Sequence, residues 1–131
     1  GTKPASVAVD PSEKFVYAAN WGSNNISVYS IDATTGALTA GTTVAAGTSP
    51  DSITVDPSGK FAYAANWDSN DISVYTINTT TGALTAETAV AAGTSPASVA
   101  VDPSGKFAYV ANETDGTISV YTINPTTGTL Q

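Results

Sequence analysis

An all-β fold assembled from repeated four-stranded antiparallel sheets is what this 131-residue chain predicts, and three observations predict it. The sequence repeats at a fixed interval of 46 residues, kept by Pro4, Pro50 and Pro96, by Asp10, Asp56 and Asp102, and by Tyr29, Tyr75 and Tyr121. Each unit holds four strand-like runs, and turn residues separate them. The runs carry apolar residues on both faces, so each sheet needs a neighbour on either side. Residues 4–49 and 50–95 agree at roughly three quarters of their positions, while the third copy, 96–131, stops ten residues short of a full period.

The first run, residues 6–9, ends at Asp10-Pro11-Ser12-Glu13, which becomes Asp56-Pro57-Ser58-Gly59 and Asp102-Pro103-Ser104-Gly105 in the later copies. Proline at the second turn position presets φ, and the aspartate side chain accepts backbone N–H groups, so a hairpin turn is expected. Residues 15–19 form the second run, residues 20–25 a polar loop, and residues 26–31 a third run rich in β-branched and aromatic side chains. Thr34-Thr35-Gly36 then turns the chain into a weaker fourth run near residues 42–46. In the third run Ile26 and Val28 face one way and Tyr29 and Ile31 the other, as a strand covered on both sides requires. Four antiparallel strands per unit, stacked face to face, describe the blades of a β-propeller. A β-sandwich seldom repeats its sequence at so regular an interval. The expectation is one domain of three blades, 4–49, 50–95 and an incomplete 96–131.

Composition narrows the chemistry. Four lysines stand against eleven acidic residues, a net charge of −7, and Arg, His, Cys and Met are all absent. Ser–His and Cys–His nucleophile pairs, thiolates and ordinary zinc sites are therefore excluded, which leaves carboxylates, hydroxyls and lysines. No basic stripe exists for phosphate contacts, so nucleic acid and anionic membranes are not expected partners. No run of eighteen apolar residues occurs, and membrane insertion is not expected either. The N-terminus lacks the charged and apolar regions of a signal peptide. A surface of Thr, Ser, Asn and Ala with few charges points to a secreted or cell-surface protein of a bacterial or archaeal parent.

The string Ser49-Pro50-Asp51-Ser52-Ile53-Thr54-Val55-Asp56-Pro57-Ser58-Gly59-Lys60-Phe61-Ala62-Tyr63 carries a further signal, as do Phe107-Ala108-Tyr109-Val110-Ala111-Asn112 and Ile118-Ser119-Val120-Tyr121-Thr122-Ile123. These strings resemble the bacterial lactonase-like β-propeller family, which includes 6-phosphogluconolactonase-like proteins and grades into surface proteins with YVTN-type repeats. The resemblance spans essentially the whole chain and implies blades of this type. Full-length members are typically seven-bladed, and the enzymes among them place His, Arg and acidic residues around the central top face. This chain has neither His nor Arg, so the expectation is that the family's hydrolytic activity does not carry over and that the chain is not an enzyme.

Three blades do not close a ring, since closure commonly takes four to eight. Exposed apolar blade faces invite self-association, and two copies would make six blades with two-fold symmetry. The leading expectation is thus a homodimer closing a six-bladed ring, either a natural fragment or a deliberate construction. The second is a module binding carbohydrate or a cell surface. The loop between second and third strands and the loop entering the first strand share the top face of a propeller. That placement gathers Asn20, Trp21, Asn66, Trp67, Asn112 and Glu113, with Asp51, Asp68 and Asp71 nearby. Two tryptophans among amides and carboxylates suit a glycan or a small cationic ligand. The favoured expectation is instead packing of each Trp on its own or the neighbouring blade, with the asparagines capping strand ends, since large aromatics usually serve burial first. Glu113 and Asp115 are a close acidic pair of the kind a glycosidase uses, but neighbouring acids are far more often simply solvated. No catalytic residue, metal set or cofactor is assigned; the Asp-x-Asp-x-Asp-Gly spacing of a calcium loop is absent around Asp68 and Asp71. Lys14, Lys60 and Lys106 recur in each copy, which suggests a structural role: pairing with Asp, or packing of the stem. The repeated tyrosines are expected in the blade cores, with their hydroxyls at an edge.

Overall fold

The computed structural model describes residues 1–131 and consists of twelve strands joined by turns: β1 (Pro4–Val9), β2 (Phe15–Asn20), β3 (Asn25–Ile31), β4 (Leu38–Ala45), β5 (Pro50–Val55), β6 (Phe61–Asn66), β7 (Asp71–Ile77), β8 (Leu84–Ala86), β9 (Val90–Ala91), β10 (Pro96–Val101), β11 (Phe107–Asn112) and β12 (Thr117–Thr122). They form three antiparallel sheets, β1-β2-β3-β4, β5-β6-β7 with β8 and β9 both on β7, and β10-β11-β12. Each sheet is one blade of a partial β-propeller. The outer strand starts earlier than the sequence predicted, at Leu38 rather than Thr42. The cause is local: Asp32 and Gly36 close the turn on themselves, and pairing begins at once with Ile31 opposite Leu38. In the second blade an irregularity around Glu87 splits the same strand into β8 and β9.

The Asp-Pro turns are latched by their aspartates. Oδ1 of Asp56 accepts the N–H groups of Lys60 (3.0 Å) and Phe61 (2.9 Å), while Oδ2 accepts the Ser58 N–H at 3.1 Å and its hydroxyl at 2.6 Å. Asp10 makes the same set with Ser12, Lys14 and Phe15. Burial pushes the Asp10 carboxyl up, but hydrogen bonds from Ser12, Phe15 and Lys14 outweigh it and hold the group below its ordinary value. The recurrent lysines thus meet aspartate through their backbone N–H, not through their ammonium groups, and their side chains are exposed. At the last turn position Gly59 and Gly105 have φ of 71°, whereas Glu13 occupies the same left-handed conformation at 62°, an arrangement that costs a residue with a Cβ about 1 kcal/mol. Asp56→Ala orphans the buried Phe61 N–H, and urea unfolding should show a loss of about 3 kcal/mol. The solvent-facing Asp102→Ala should lose less.

Blades pack through two continuous cores. In the first, Phe15, Tyr17, Ala19, Ile26 and Val28 of one blade meet Ile53, Ala62, Ala64, Tyr75 and Ile77 of the next. In the second, the equivalent Phe61, Tyr63, Ala65, Ile72 and Val74 meet Val99, Ala108, Val110, Tyr121, Ile123 and Leu130. Ile26 and Val28 therefore do face one way, and the positions of Tyr29 and Ile31 the other. Four of the six repeated tyrosines reach further than an edge, their hydroxyls crossing to the adjoining blade. Tyr17 donates to the Gly82 carbonyl at 2.8 Å and Tyr63 to that of Gly128 at 2.7 Å; Tyr75 donates to Ala45 at 2.8 Å and Tyr121 to Ala91 at 2.7 Å. Gly82 and Gly128 lie flat against the Phe15 and Phe61 rings, where a Cβ would collide.

Candidate functional site

Backbone bonds bring the two kinds of top loop together in every blade. The N–H of Trp21 donates to the Lys3 carbonyl, that of Trp67 to Ser49 and that of Glu113 to Ser95, each at 2.9 Å. Side chains add to the stitching: the Ser49 hydroxyl donates to Asp68 Oδ2 at 2.5 Å, and the Thr94 N–H donates to Asp115 Oδ2 at 2.6 Å. The Thr94 bonds hold the Asp115 carboxyl below its ordinary value.

Asn20, Asn66 and Asn112 are buried beneath these loops and latch their own hairpins. Nδ2 of Asn20 donates to Asn25 Oδ1 and Ser27 Oγ, both at 2.8 Å. Asn66 reaches Asp71 Oδ1 (2.7 Å) and Ser73 Oγ (2.9 Å), and Asn112 reaches Thr117 (3.2 Å) and Ser119 (2.9 Å). Ser27, Ser73 and Ser119 escaped attention in the sequence. Their signal was present, a serine seven residues after each latch asparagine in all three copies. Asn112 Oδ1 also accepts the Gly93 N–H at 3.1 Å, whereas in the preceding blade the Gly47 N–H goes to Ser73 Oγ and Asn66 Oδ1 is left without a partner.

Above the latches stand the groups that reach solvent. Trp21 and Trp67 are half-buried and touch each other across the blade boundary, ring centroids 6.0 Å apart at an interplanar angle of 51°. The two rings form one aromatic pair, and Glu113, exposed, takes the corresponding position in the third blade. Asp68 and Asp71 are engaged, by Ser49 and by Asn66 and Ser69 respectively. No group of three or more carboxylates converges closely enough to hold a metal ion.

Asp51 is placed differently from the other acids. On the innermost strand, Pro50 pairs with Asn66 and Ser52 with Ala65, so Asp51 is the extra residue of a β-bulge; Ala5 and Ala97 occupy the same bulge in the other blades. Bulges of this kind re-aim a side chain at the rim of a sheet. Burial pushes the Asp51 carboxyl above its ordinary value, with no hydrogen bond to offset it. A paired aromatic surface of this kind suits the apolar face of a sugar ring.

A family model described as "Lactonase, 7-bladed beta-propeller" matches residues 1–99 and 85–131 of the chain. Among solved structures, a provisionally named 6-phosphogluconolactonase from Bacteroides fragilis is 26% identical over 100% of this chain and 38% of its own, with a TM-score of 0.93. A similarly named protein from Bacteroides uniformis is 27% identical over 99% of this chain and 39% of its own, at 0.93. A protein of unknown function from Desulfotomaculum acetoxidans is 28% identical over 100% of this chain and 41% of its own, at 0.91. The chain thus spans about two fifths of the length of these structures. No curated protein matches it. These matches overturn the expectation, drawn from the missing His and Arg, that the chain is not an enzyme: the matching model describes lactonases, and two of the neighbours carry hydrolase names.

Proposed function

The chain belongs to the lactonase family of seven-bladed β-propellers, and from that premise we propose that two copies close head to tail into a six-bladed ring whose top face takes a sugar lactone as substrate. The supporting observation is the state of the two end faces. Phe107, Tyr109, Ile118 and Val120 are 39%, 41%, 67% and 62% exposed, while Phe61, Tyr63, Ile72 and Val74, one repeat earlier, are 4%, 0%, 0% and 1% exposed. At the other end Val7 is 65% exposed against 5% for Ile53. Both surfaces are halves of an interface that the chain already makes twice.

Shifting the internal contacts by one repeat specifies the junction. Gly36 has open space where Gly82 and Gly128 receive a phenyl ring, so it takes Phe107 of the second copy, and its carbonyl accepts that copy's Tyr109 hydroxyl. Ser98 Oγ accepts the Val7 N–H, as Ser6 and Ser52 accept those of Ile53 and Val99. Such an interface is heterologous and closes only if the rotation per blade permits. A seven-bladed ring turns about 51° per blade and a six-bladed one about 60°, so closure asks for about 9° more at each interface.

Family membership supports the substrate class. Opening a lactone requires water to add to the ester carbonyl carbon, the acyl–oxygen bond to break and the ring oxygen to leave as an alcohol with a proton. In this reading Asp51 takes the proton from the attacking water, and Trp21 and Trp67 seat the apolar face of the sugar. Light scattering over a dilution series, with hydrolysis of a sugar δ-lactone read on the same samples, tests both parts. Mass twice that of the chain is expected at high concentration and that of a single chain for Val7→Lys. Turnover per chain should rise with the paired fraction and fall for Asp51→Asn. A single-chain mass at every concentration would overturn the ring, and turnover at the background rate would overturn the substrate.

A further inference from the structure

The pattern Asn-x-Ser/Thr marks an acceptor of N-linked glycan when the middle residue is not proline. The chain holds four such triplets, at Asn25, Asn78, Asn112 and Asn124, and the fold treats each differently. Asn25 is locked into β3, paired with Asn20 on one side and Ala45 on the other, and the Ser27 of its triplet is buried. Asn112 is buried too, with its Nδ2 committed to Thr117 and Ser119. Asn124 is followed by Pro125, the one middle residue that the pattern forbids.

Asn78-Thr79-Thr80 is left. It lies in the turn after β7, and all three residues are exposed. The Asn78 N–H donates to the Ala83 carbonyl at 2.9 Å and the Gly82 N–H to the Asn78 carbonyl at 2.7 Å, so the turn is closed on itself. Within it Oδ1 of Asn78 accepts the N–H groups of Thr80 at 3.0 Å and Thr81 at 3.1 Å, while Nδ2 donates to no group of the protein. The oxygen fixes the side chain, and the nitrogen that would carry a sugar stays free. This turn belongs to the middle blade, which packs against a blade on either side, so its exposure is that of a blade with both neighbours in place.

We infer that Asn78 is an N-glycan acceptor, the one triplet of the four that the fold leaves usable. The donor class is an oligosaccharide joined through its anomeric carbon to a lipid pyrophosphate. Nδ2 of Asn78 bonds to that carbon and the carbon–oxygen bond to the pyrophosphate breaks. Lipid pyrophosphate leaves with the electron pair, and one amide proton passes to a base of the transferring enzyme. The Thr80 hydroxyl is the second group that the pattern requires, and the bond from its N–H to Asn78 keeps both side chains in one exposed turn. The place also suits a bulky, hydrophilic adduct. Asn78 follows the end of β7, whereas the loop carrying Trp67 precedes its start, and seven residues of strand set the two about 23 Å apart. A glycan there leaves the tryptophan pair open. Glycosylation of this kind needs an exported chain, the expectation raised by the surface composition, and it needs neither the ring nor the lactone.

The first blade offers a transplant. Its equivalent turn reads Asp32-Ala33-Thr34, and Oδ1 of Asp32 accepts the N–H groups of Thr34 and Thr35 at 2.8 and 3.0 Å, the same geometry without an amide nitrogen. The folded chain is incubated with a purified oligosaccharyltransferase that reads Asn-x-Ser/Thr and with its lipid-linked oligosaccharide. A synthetic acceptor peptide in a parallel tube verifies that the enzyme is active, and intact mass with peptide mapping reads the product. One glycan per chain is expected, on Asn78. Thr80→Ala keeps the asparagine and both backbone bonds to it, and should lose nearly all of the glycan with its circular dichroism unchanged. Asp32→Asn should carry two glycans per chain. An unmodified Asn78 beside a modified peptide overturns the assignment, as does glycan on Asn25 or Asn112 of the folded chain. Transfer to Asn78 only after unfolding in urea overturns it as well, since the folded turn would then be no acceptor.

Discussion

Phe61→Ala is expected to lower the unfolding free energy by about 4 kcal/mol, whereas Phe107→Ala, at the same position of the next repeat, lowers that of the dilute single chain by about 1 kcal/mol or less. The two residues share their local sequence and their place at the start of an inner hairpin. They differ in what lies against them. The Phe61 ring rests on Gly128 and belongs to an eleven-residue core, so truncation removes buried contacts and leaves a cavity. Phe107 faces solvent in a single chain. Urea unfolding at concentrations that give single-chain and double-chain masses separates the cases. In the closed ring the Phe107→Ala cost should climb to that of Phe61→Ala, because the Gly36 surface of the second copy then supplies the missing wall. Equal losses at both positions in the single chain would contradict the account of the end faces given above.

Raising the pH should unfold the protein cooperatively through its buried phenols. Burial, with the Asp10 carboxylate adding to it, pushes the Tyr17 hydroxyl well above its ordinary value of 10.0. Burial and Asp56 do the same for Tyr63. Tyr75 is pushed up to about 12, by burial chiefly and by Asp71 in smaller part, against a lowering hydrogen bond to Ser73. In the unfolded chain all three release protons from pH 10 upward while the folded chain keeps them. The unfolded state therefore binds fewer protons, and stability falls as pH rises. Each of the three phenols contributes about 1.4 kcal/mol of loss per pH unit above its unfolded value, about 4 kcal/mol per unit together until the folded groups titrate. Denaturant midpoints at successive pH values and phenolate absorbance on the same samples measure this. Loss of structure and a jump in absorbance should coincide. Tyr75→Phe should reduce the slope by about a third. Gradual phenolate formation from pH 10 with the fold intact would refute the burial of these hydroxyls.

Much of the architecture follows from local chemistry and was legible beforehand. The Asp-Pro turns form because proline presets φ and the aspartate gathers N–H groups within five residues. The strands form because β-branched and aromatic residues sit where the pleat presents them to two neighbouring sheets. Repetition made both signals three times as strong, and the two-sided apolar pattern of Ile26, Val28, Tyr29 and Ile31 was enough to demand stacked blades. The missing His and Arg, by contrast, led to the expectation of a non-enzyme, which the match to a lactonase family model and to neighbours with lactonase names overturns.

The sequence by itself determined the period, the strands, the turns and the presence of an apolar face on both sides of the blades, since all of these depend on patterns within about one repeat. Only the tertiary structure decided that the top-loop asparagines are buried latches, that Trp21 meets Trp67, and that Asp51 stands in a bulge. It also decided that identical residues are core in one blade and surface in another. A residue's neighbours across a blade interface lie up to 65 positions away, as with Tyr17 and Gly82. Burial, pKa and exposure at such a site are properties of the partner surface, which the local sequence does not contain.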